Sequence, residues 1–381
     1  MARIGIPIEQ VLARRRLSLQ VAGGLRLSTL PLPAPWNLAA GILLSRGPSF
    51  GERVLTLRAL EDLRRDGFYA RRGESVEELL NRFGIQGCLR THLWEAICLA
   101  ALNTPAERAC AQTFLNILHD IATGPASVSD LLIPRTDLSS LFPEPAAQYI
   151  RARGGQVHTQ AAVLRLEDAG EAVRLIGTER HGLFRRVVIA TASQALPRLL
   201  GSWSDMQPLL QRVATLPQER IATLTLEYPC PVRLPFPMMG VAFGTVDWVF
   251  DRRWLFDGGR SAPGRLCCVL SAPDLARTMD REALAASAHA DVQKIAGPLP
   301  FPSAYRLVVE KRATFSCQPG LLRPDGITHD SRIVLAGDYL LSRYPATLET
   351  AVRSGRRAAA AVISWTHDRV PVDAREAAPS S

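Results

Sequence analysis

The sequence predicts an α/β protein with two domains: a parallel-sheet domain assembled from separated segments, and an intertwined domain of helices and β-sheet. Three observations lead there. Residues 332–363 read as a buried strand feeding a long helix, which is how a parallel sheet is built. The first third of the chain has helical periodicity with clear start signals. Residues 206–312 carry short alternating or apolar runs broken by proline, as a β-rich segment does.

The C-terminal stretch organises the rest. Arg332-Ile-Val-Leu-Ala-Gly-Asp338 is a short apolar run that ends in Gly-Asp. Pro345 and Thr347 mark the entry to a helix reaching about Ile363, with Thr347 as N-cap and Glu349 in the first turn. Leu348, Val352, Gly355, Ala359 and Val362 recur at helical spacing, on a face small enough to lie close to a sheet. Gly337 lets a ligand approach the backbone. Asp338 offers a carboxylate to sugar-like hydroxyls, and the helix start offers free N–H groups and partial positive charge to an anion. A flavin dinucleotide uses all three features. A buried strand–turn–helix without ligand accounts for the same residues equally well.

Composition narrows the class. The chain has 381 residues, 47% hydrophobic and 21% charged, an ordinary globular balance with room for a large core. Net charge is +9, and all but Lys294 and Lys311 of the 45 basic residues are arginines. They are scattered, with Arg14-Arg15-Arg16 the only triple, and no basic stripe with interleaved aromatics marks a nucleic-acid reader. Weak attraction to anionic lipid headgroups fits better. The seven cysteines have neither CxxC spacing nor a metal-like pattern with the histidines, so no metal site is expected and a reducing compartment fits. No apolar run reaches membrane-spanning length and the N-terminus lacks a signal-peptide core. The expected location is the cytoplasm, with peripheral contact to the inner membrane.

In chain order, residues 1–30 show no motif, and Leu30–Trp36 is a proline-punctuated extended segment. Helices are expected over Asn37–Ser45 and Phe50–Arg65, and Ser75-Val-Glu-Glu78 is a capping box opening a helix that stops at Gly84. A helix follows over about Gln86–Ala101. The next starts at Asn103-Thr-Pro-Ala-Glu107, with Thr104 as cap and Pro105 at the first helical position, and runs to about Ala122. Glu95 is a lone acid on an apolar helix, which makes it a candidate general acid. Gln156–Thr159, Ala162–Glu167, Ala172–Ile176 and Arg185–Thr191 read as strands, with Ser193 capping the helix behind them. Further strands are expected at Ile221–Tyr228, Asp247–Asp251, Leu266–Leu270 and Leu307–Phe315, with an amphipathic helix at Asp280–Ile295. Lys311 sits on the last of these strands. As a plain solvated charge it needs no further role.

Ala336-Gly-Asp-Tyr339, Tyr344-Pro-Ala-Thr-Leu-Glu349 and Ala351-Val-Arg-Ser-Gly355 resemble the C-terminal FAD segment of the flavin amine oxidase and phytoene desaturase superfamily. Within it, Trp94–Pro105 is similar to a segment particular to the squalene-associated FAD-dependent desaturases, the hydroxysqualene dehydroxylases. The resemblance implies an FAD-binding Rossmann-like domain whose N-terminal βαβ unit is missing, with an intertwined helical and β-sheet substrate domain. The implied cofactor residues are Gly337, Asp338, Tyr344, Pro345, Ala346, Thr347 and Leu348, with Val163 meeting adenine through its backbone. Lys311 would lie near the flavin edge, and the helical hairpin around Glu95 would cap a hydrophobic isoprenoid. The implied activity is reductive dehydroxylation of hydroxysqualene to squalene. An oxidative phytoene-type desaturase, an amine oxidase and a flavin-free isoprenoid-binding protein stand as alternatives.

The implied boundaries are a helical part of the substrate domain at 1–125, an FAD-domain middle segment at 126–200, a β-rich substrate domain at 201–312, a C-terminal FAD segment at 313–368, and a disordered tail at 369–381. The family's G-x-G-x-x-G is absent, since Gly23-Gly24 lies in no strand–turn–helix context. The resemblance therefore omits the main pyrophosphate site, and the polypeptide as written is expected to bind FAD weakly. It reads either as a fragment of an ordinary enzyme or as a shortened protein.

Overall fold

A computed structural model of the chain describes residues 1–178, 181–254, 264–271 and 280–367. The tail expected at 369–381 lies outside the described residues. Two compact units emerge, Met1–Val157 with Gln218–Gly320, and His158–Pro217 with Leu321–Ser381.

The first unit is built on a sheet of seven described strands. They run in the order Ala304–Phe315, Gln218–Glu227, Arg265–Ser271, Trp248–Asp251, Met238–Val241, Ser18–Ala22, Arg26–Ser28. All neighbours are antiparallel except Met238–Val241, which runs parallel to Ser18–Ala22. Alternation makes one face apolar. Ala222, Leu224 and Leu226 of one strand and Leu266, Cys268 and Leu270 of its neighbour are buried, and Leu284, Ala288 and Val292 of helix Arg281–Ala296 pack on them. Asp280 caps that helix, accepting from the Ala283 amide at 2.8 Å.

Residues 1–30 are not featureless. They supply Leu12–Arg15, which pairs with Leu131–Pro134, and the hairpin Ser18–Ala22/Arg26–Ser28 closed by Gly23 at φ +76°. The apolar alternation around Gly-Gly was a hairpin signal in its own right. Leu307–Phe315 belongs to this sheet, pairing along Gln218–Glu227 with a register shift between Glu310 and Thr314.

The helical part begins as expected. Ser49/Glu52 and Ser75/Glu78 form complete capping boxes on Phe50–Arg65 and Val76–Arg82. The next helix is not continuous: Gly87–Leu89 passes into a π-helical turn, Arg90–Glu95, before Ala96–Leu102. The helix expected from Thr104 starts only at Ala111. Thr104 caps nothing of its own. Its hydroxyl donates to Leu102 O at 3.0 Å and accepts from the Cys317 amide at 2.9 Å, which spends it on a distant strand end.

The second unit holds an antiparallel sheet, Val163–Ala169, Ala172–Gly177 and His181–Phe184, and a parallel pair, Val187–Ile189 with Ile333–Leu335. Gln156–Thr159 forms no strand. Ser193 opens a short 3-10 turn and makes no cap. Helix Leu348–His367 packs Ala358 and Val362 on Val334 and Ala336.

Arg332, at the start of the parallel strand, joins the two sheets. Its guanidinium reaches Asp168 at 2.5 Å and Asp330 at 2.6 Å, donates to the Gly170 carbonyl, and lies 5.2 Å over the Trp203 ring. These bonds hold both carboxyls below the usual range. A depressed folded pKa contributes stability that is present above the unfolded value of about 4 and is lost as pH falls through the folded one. Acid melts followed by circular dichroism should therefore show a stability loss below about pH 4 that Arg332→Leu makes smaller, together with a lower Tm at neutral pH.

Candidate functional site

The apolar run Ile333-Val-Leu335 is completely buried and delivers Gly337 and Asp338 at its C-terminal tip. Residues Tyr344–Thr347 then carry the chain to the last helix. The tip keeps its shape through Arg323, which is only 9% exposed. Its guanidinium donates to four backbone carbonyls: Tyr344 at 2.5 Å, Asp338 at 2.7 Å, Ser342 at 3.2 Å and Tyr339 at 3.4 Å. A planar five-donor group is suited to such a convergent set.

Gly337 donates its amide to Ser354 Oγ at 2.9 Å, tying the strand tip to the helix. A Cβ at Gly337 would lie 2.4 Å from the Tyr339 ring, so this glycine makes room for a neighbouring side chain of its own loop. The Tyr339 hydroxyl is buried without a hydrogen-bond partner among the described residues, and burial pushes its ionisation well above the normal range. Asp338 is half-buried, and desolvation pushes its carboxyl up from the usual value, opposed in part by the backbone amides of Asp338 and Tyr339 and by the Arg323 charge.

Thr347 occupies the N-cap position, its Oγ1 accepting from the Thr350 amide at 3.3 Å. Thr350 Oγ1 in turn donates to Pro345 O at 2.8 Å and fixes the entry. The amides of Leu348 and Glu349 have no acceptor among the described residues, and Leu348 is 86% exposed. The helix start is thus an open pair of donors in the same unit as the Asp338 carboxylate, which is met by the backbone amides of Asp338 and Tyr339. That donor-and-acceptor set fits the phosphate and hydroxyl oxygens of a flavin nucleotide. The Tyr344 ring is flanked by Arg343 and Arg353 at 5.2 and 5.1 Å. Both also line a cavity of about 220 Å³ in this unit, with Leu335, Leu340, Ser354 and Arg357.

The remaining candidates lie elsewhere. Val163 starts a strand of the same unit, and its carbonyl accepts from Arg198 at 3.3 Å. Glu95 and Lys311 belong to the first unit. Glu95 is not a lone acid: Arg90 Nε donates to it at 2.7 Å from within the π-helical turn. Lys311 is exposed where the strand register shifts, without an acidic partner among the described residues. Trp94–Pro105 is anchored in the first unit by Asn103, in the left-handed region at φ +47°, whose Nδ2 donates to Thr314 Oγ1 at 3.0 Å.

The first unit also contains a cavity of about 510 Å³. Leu131–Pro134, Phe236, Met238 and Phe250 line it, joined by Arg15 and Arg16. Its size and apolar walls suit a hydrophobic ligand. No group of three metal-ligating side chains occurs among the described residues.

Sequence reasoning missed Arg323 and Ser354. Ser354 falls inside the helical motif and could have been found there. Arg323 precedes a proline in an irregular segment, with no local sign of its partners.

Solved structures share this fold. Cyclohexylamine oxidase from Brevibacterium oxydans matches with TM-score 0.63 and 16% identity over 96% of this chain and 85% of its own. An oxidoreductase from Methanosarcina mazei matches with TM-score 0.62 and 14% identity over 84% and 73%. The family profile described as flavin containing amine oxidoreductase matches residues 18–363, and the chain belongs to that family. Among curated proteins it is similar to hydroxysqualene dehydroxylase of Rhodopseudomonas palustris, 32% identical over 287 residues covering 73% of this chain and 63% of that one. That of Sinorhizobium fredii is 28% identical over 302 residues, covering 77% and 67%. The chain thus spans about two thirds of the length of these relatives.

Arg323→Met should loosen the loop 338–344. Leaving its buried carbonyls unpaired costs about 2–3 kcal/mol, read as a lower Tm and faster amide exchange confined to this loop.

Proposed function

We propose that this chain is an FAD-dependent oxidoreductase acting on a long isoprenoid, which removes the hydroxyl of hydroxysqualene reductively to give squalene. One observation carries the reading. An open strand-tip-to-helix junction, with Asp338 as acceptor and the Leu348 and Glu349 amides as donors, occurs in a chain whose curated relatives bear the name hydroxysqualene dehydroxylase. Asp338 binds ribityl or ribose hydroxyls, and the helix start capped by Thr347 takes phosphate oxygens. Gly337, Tyr344, Pro345 and Ala346 shape the approach, and Val163 offers backbone to the adenine. The chemistry a reduced flavin supplies when bound is hydride delivery to the allylic carbon, while the hydroxyl leaves with a proton as water. The chain's own part is to orient the isoprenoid in the apolar cavity and keep water out. Lys311 is assigned to support negative charge, and Glu95, held by Arg90, is assigned as the acid for the leaving hydroxyl.

Two measurements test this. Hydroxysqualene incubated with the protein and chemically reduced FAD should yield squalene by mass spectrometry, and Glu95→Gln should abolish product while retaining FAD. Asp338→Asn should weaken FAD binding about tenfold in a fluorescence titration, equivalent to about 1.4 kcal/mol. Tight binding of a long polyprene, identical with and without FAD and accompanied by no squalene, would replace this reading with that of a flavin-free carrier.

A further inference from the structure

The helix Trp36–Leu43 has an unusual outer face. Its sequence, Trp-Asn-Leu-Ala-Ala-Gly-Ile-Leu, contains no charged residue. Trp36 and Leu43 are seven positions apart, two helical turns, and therefore project on the same side. Trp36 is 67% exposed and Leu43 is exposed as well. Leu44 at the helix end is 65% exposed, and Phe50 beyond the next turn 70%. Surface helices of globular proteins turn charged or polar residues to solvent. A single exposed leucine is ordinary, whereas several large apolar side chains on one corner mark a contact surface. The corner is a formed element: Arg53 donates to Leu43 O at 3.2 Å and Pro48 O at 2.7 Å.

The surroundings are basic. Buried Asn37 donates to Ser129 Oγ at 3.3 Å, tying the helix to the turn that leads into strand Leu131–Pro134. That turn meets Arg14, whose guanidinium donates to Ser127 O at 3.0 Å and pairs with Asp130 at 3.5 Å. Arg14 is thereby partly neutralised. Arg15 and Arg16 on the same segment are exposed, as is Arg46, two residues beyond Leu44. Arg15 lies 4.6 Å over the Trp254 ring.

We propose that the corner of Trp36, Leu43, Leu44 and Phe50 docks the protein on an anionic lipid surface. The apolar side chains enter the headgroup boundary and Arg15, Arg16 and Arg46 meet the phosphates. Tryptophan belongs at such a boundary, where its ring is half apolar and half hydrogen-bonding. Each basic residue near the surface adds attraction that salt screens. The strand reached through Ser129 is also a wall of the 510 Å³ cavity, and Leu132 on it is half exposed. A water-insoluble isoprenoid dissolved in the bilayer would enter there. This last link rests on the proposed substrate, while the docking itself does not.

The test is sedimentation of the full chain with vesicles of phosphatidylglycerol and phosphatidylcholine, against phosphatidylcholine alone. Binding is expected to the anionic vesicles and to weaken with salt. Replacing Trp36, Leu43 and Leu44 by serine should cut it at least about tenfold with an unchanged melting curve, because these side chains are exposed. Arg16→Ala with Arg46→Ala should reduce binding at low salt and make little difference at high salt. Vesicle binding unaffected by the serine variant would overturn the proposal. So would a stable dimer in light scattering that the serine variant dissociates, since the corner would then be a protein interface. Neither readout needs flavin or turnover. Absence of vesicle binding by the unaltered chain, with intact conversion of detergent-dispersed substrate, counts against docking alone, and docking without conversion counts against the catalytic reading alone.

Discussion

The second unit's site depends on how one guanidinium is buried. Arg323 brings a full positive charge out of solvent and offsets the desolvation cost by donating to the carbonyls of Asp338, Tyr339, Ser342 and Tyr344. A loop with so little regular structure leaves its carbonyls without a ladder, and a single arginine substitutes for one. With the carbonyls drawn toward Arg323, the Asp338 carboxylate and the helix start are fixed on a rigid frame. Ser354 completes it by taking the Gly337 amide from the helix side.

Charge and acceptance are then set by what the frame leaves open. Thr347 and Thr350 satisfy one amide and stop, so the first two amides of the helix keep their donors. Desolvation raises the cost of charge on the Asp338 carboxylate, and backbone amides and the Arg323 charge offset it only in part. Glycine at 337 accommodates the Tyr339 ring where any side chain would collide with it.

Local signals proved readable wherever a residue's partner lies within a few positions. The capping box at Ser75, the buried strand before Gly337 and the cap at Thr347 are all of this kind. Thr104 shows the limit. Threonine before proline satisfies every local rule for a helix start, yet its hydroxyl is taken by the Cys317 amide, and the helix waits until Ala111. Glu95 fails in the opposite way, because its partner Arg90 is five residues away, beyond ordinary helical pairing, and the π-helical turn brings them together.

The sequence by itself determined the family, the strand–Gly-Asp–helix junction and the apolar character of the helical hairpin. Each is written in short-range periodicity or in a contiguous motif. Only the tertiary structure decided which arginine holds the junction, which hydroxyls are diverted from capping, and that an uncharged helix faces solvent beside an apolar cavity. Burial and hydrogen-bond partnership depend on residues far apart in the chain, and a one-dimensional pattern carries no distance between them.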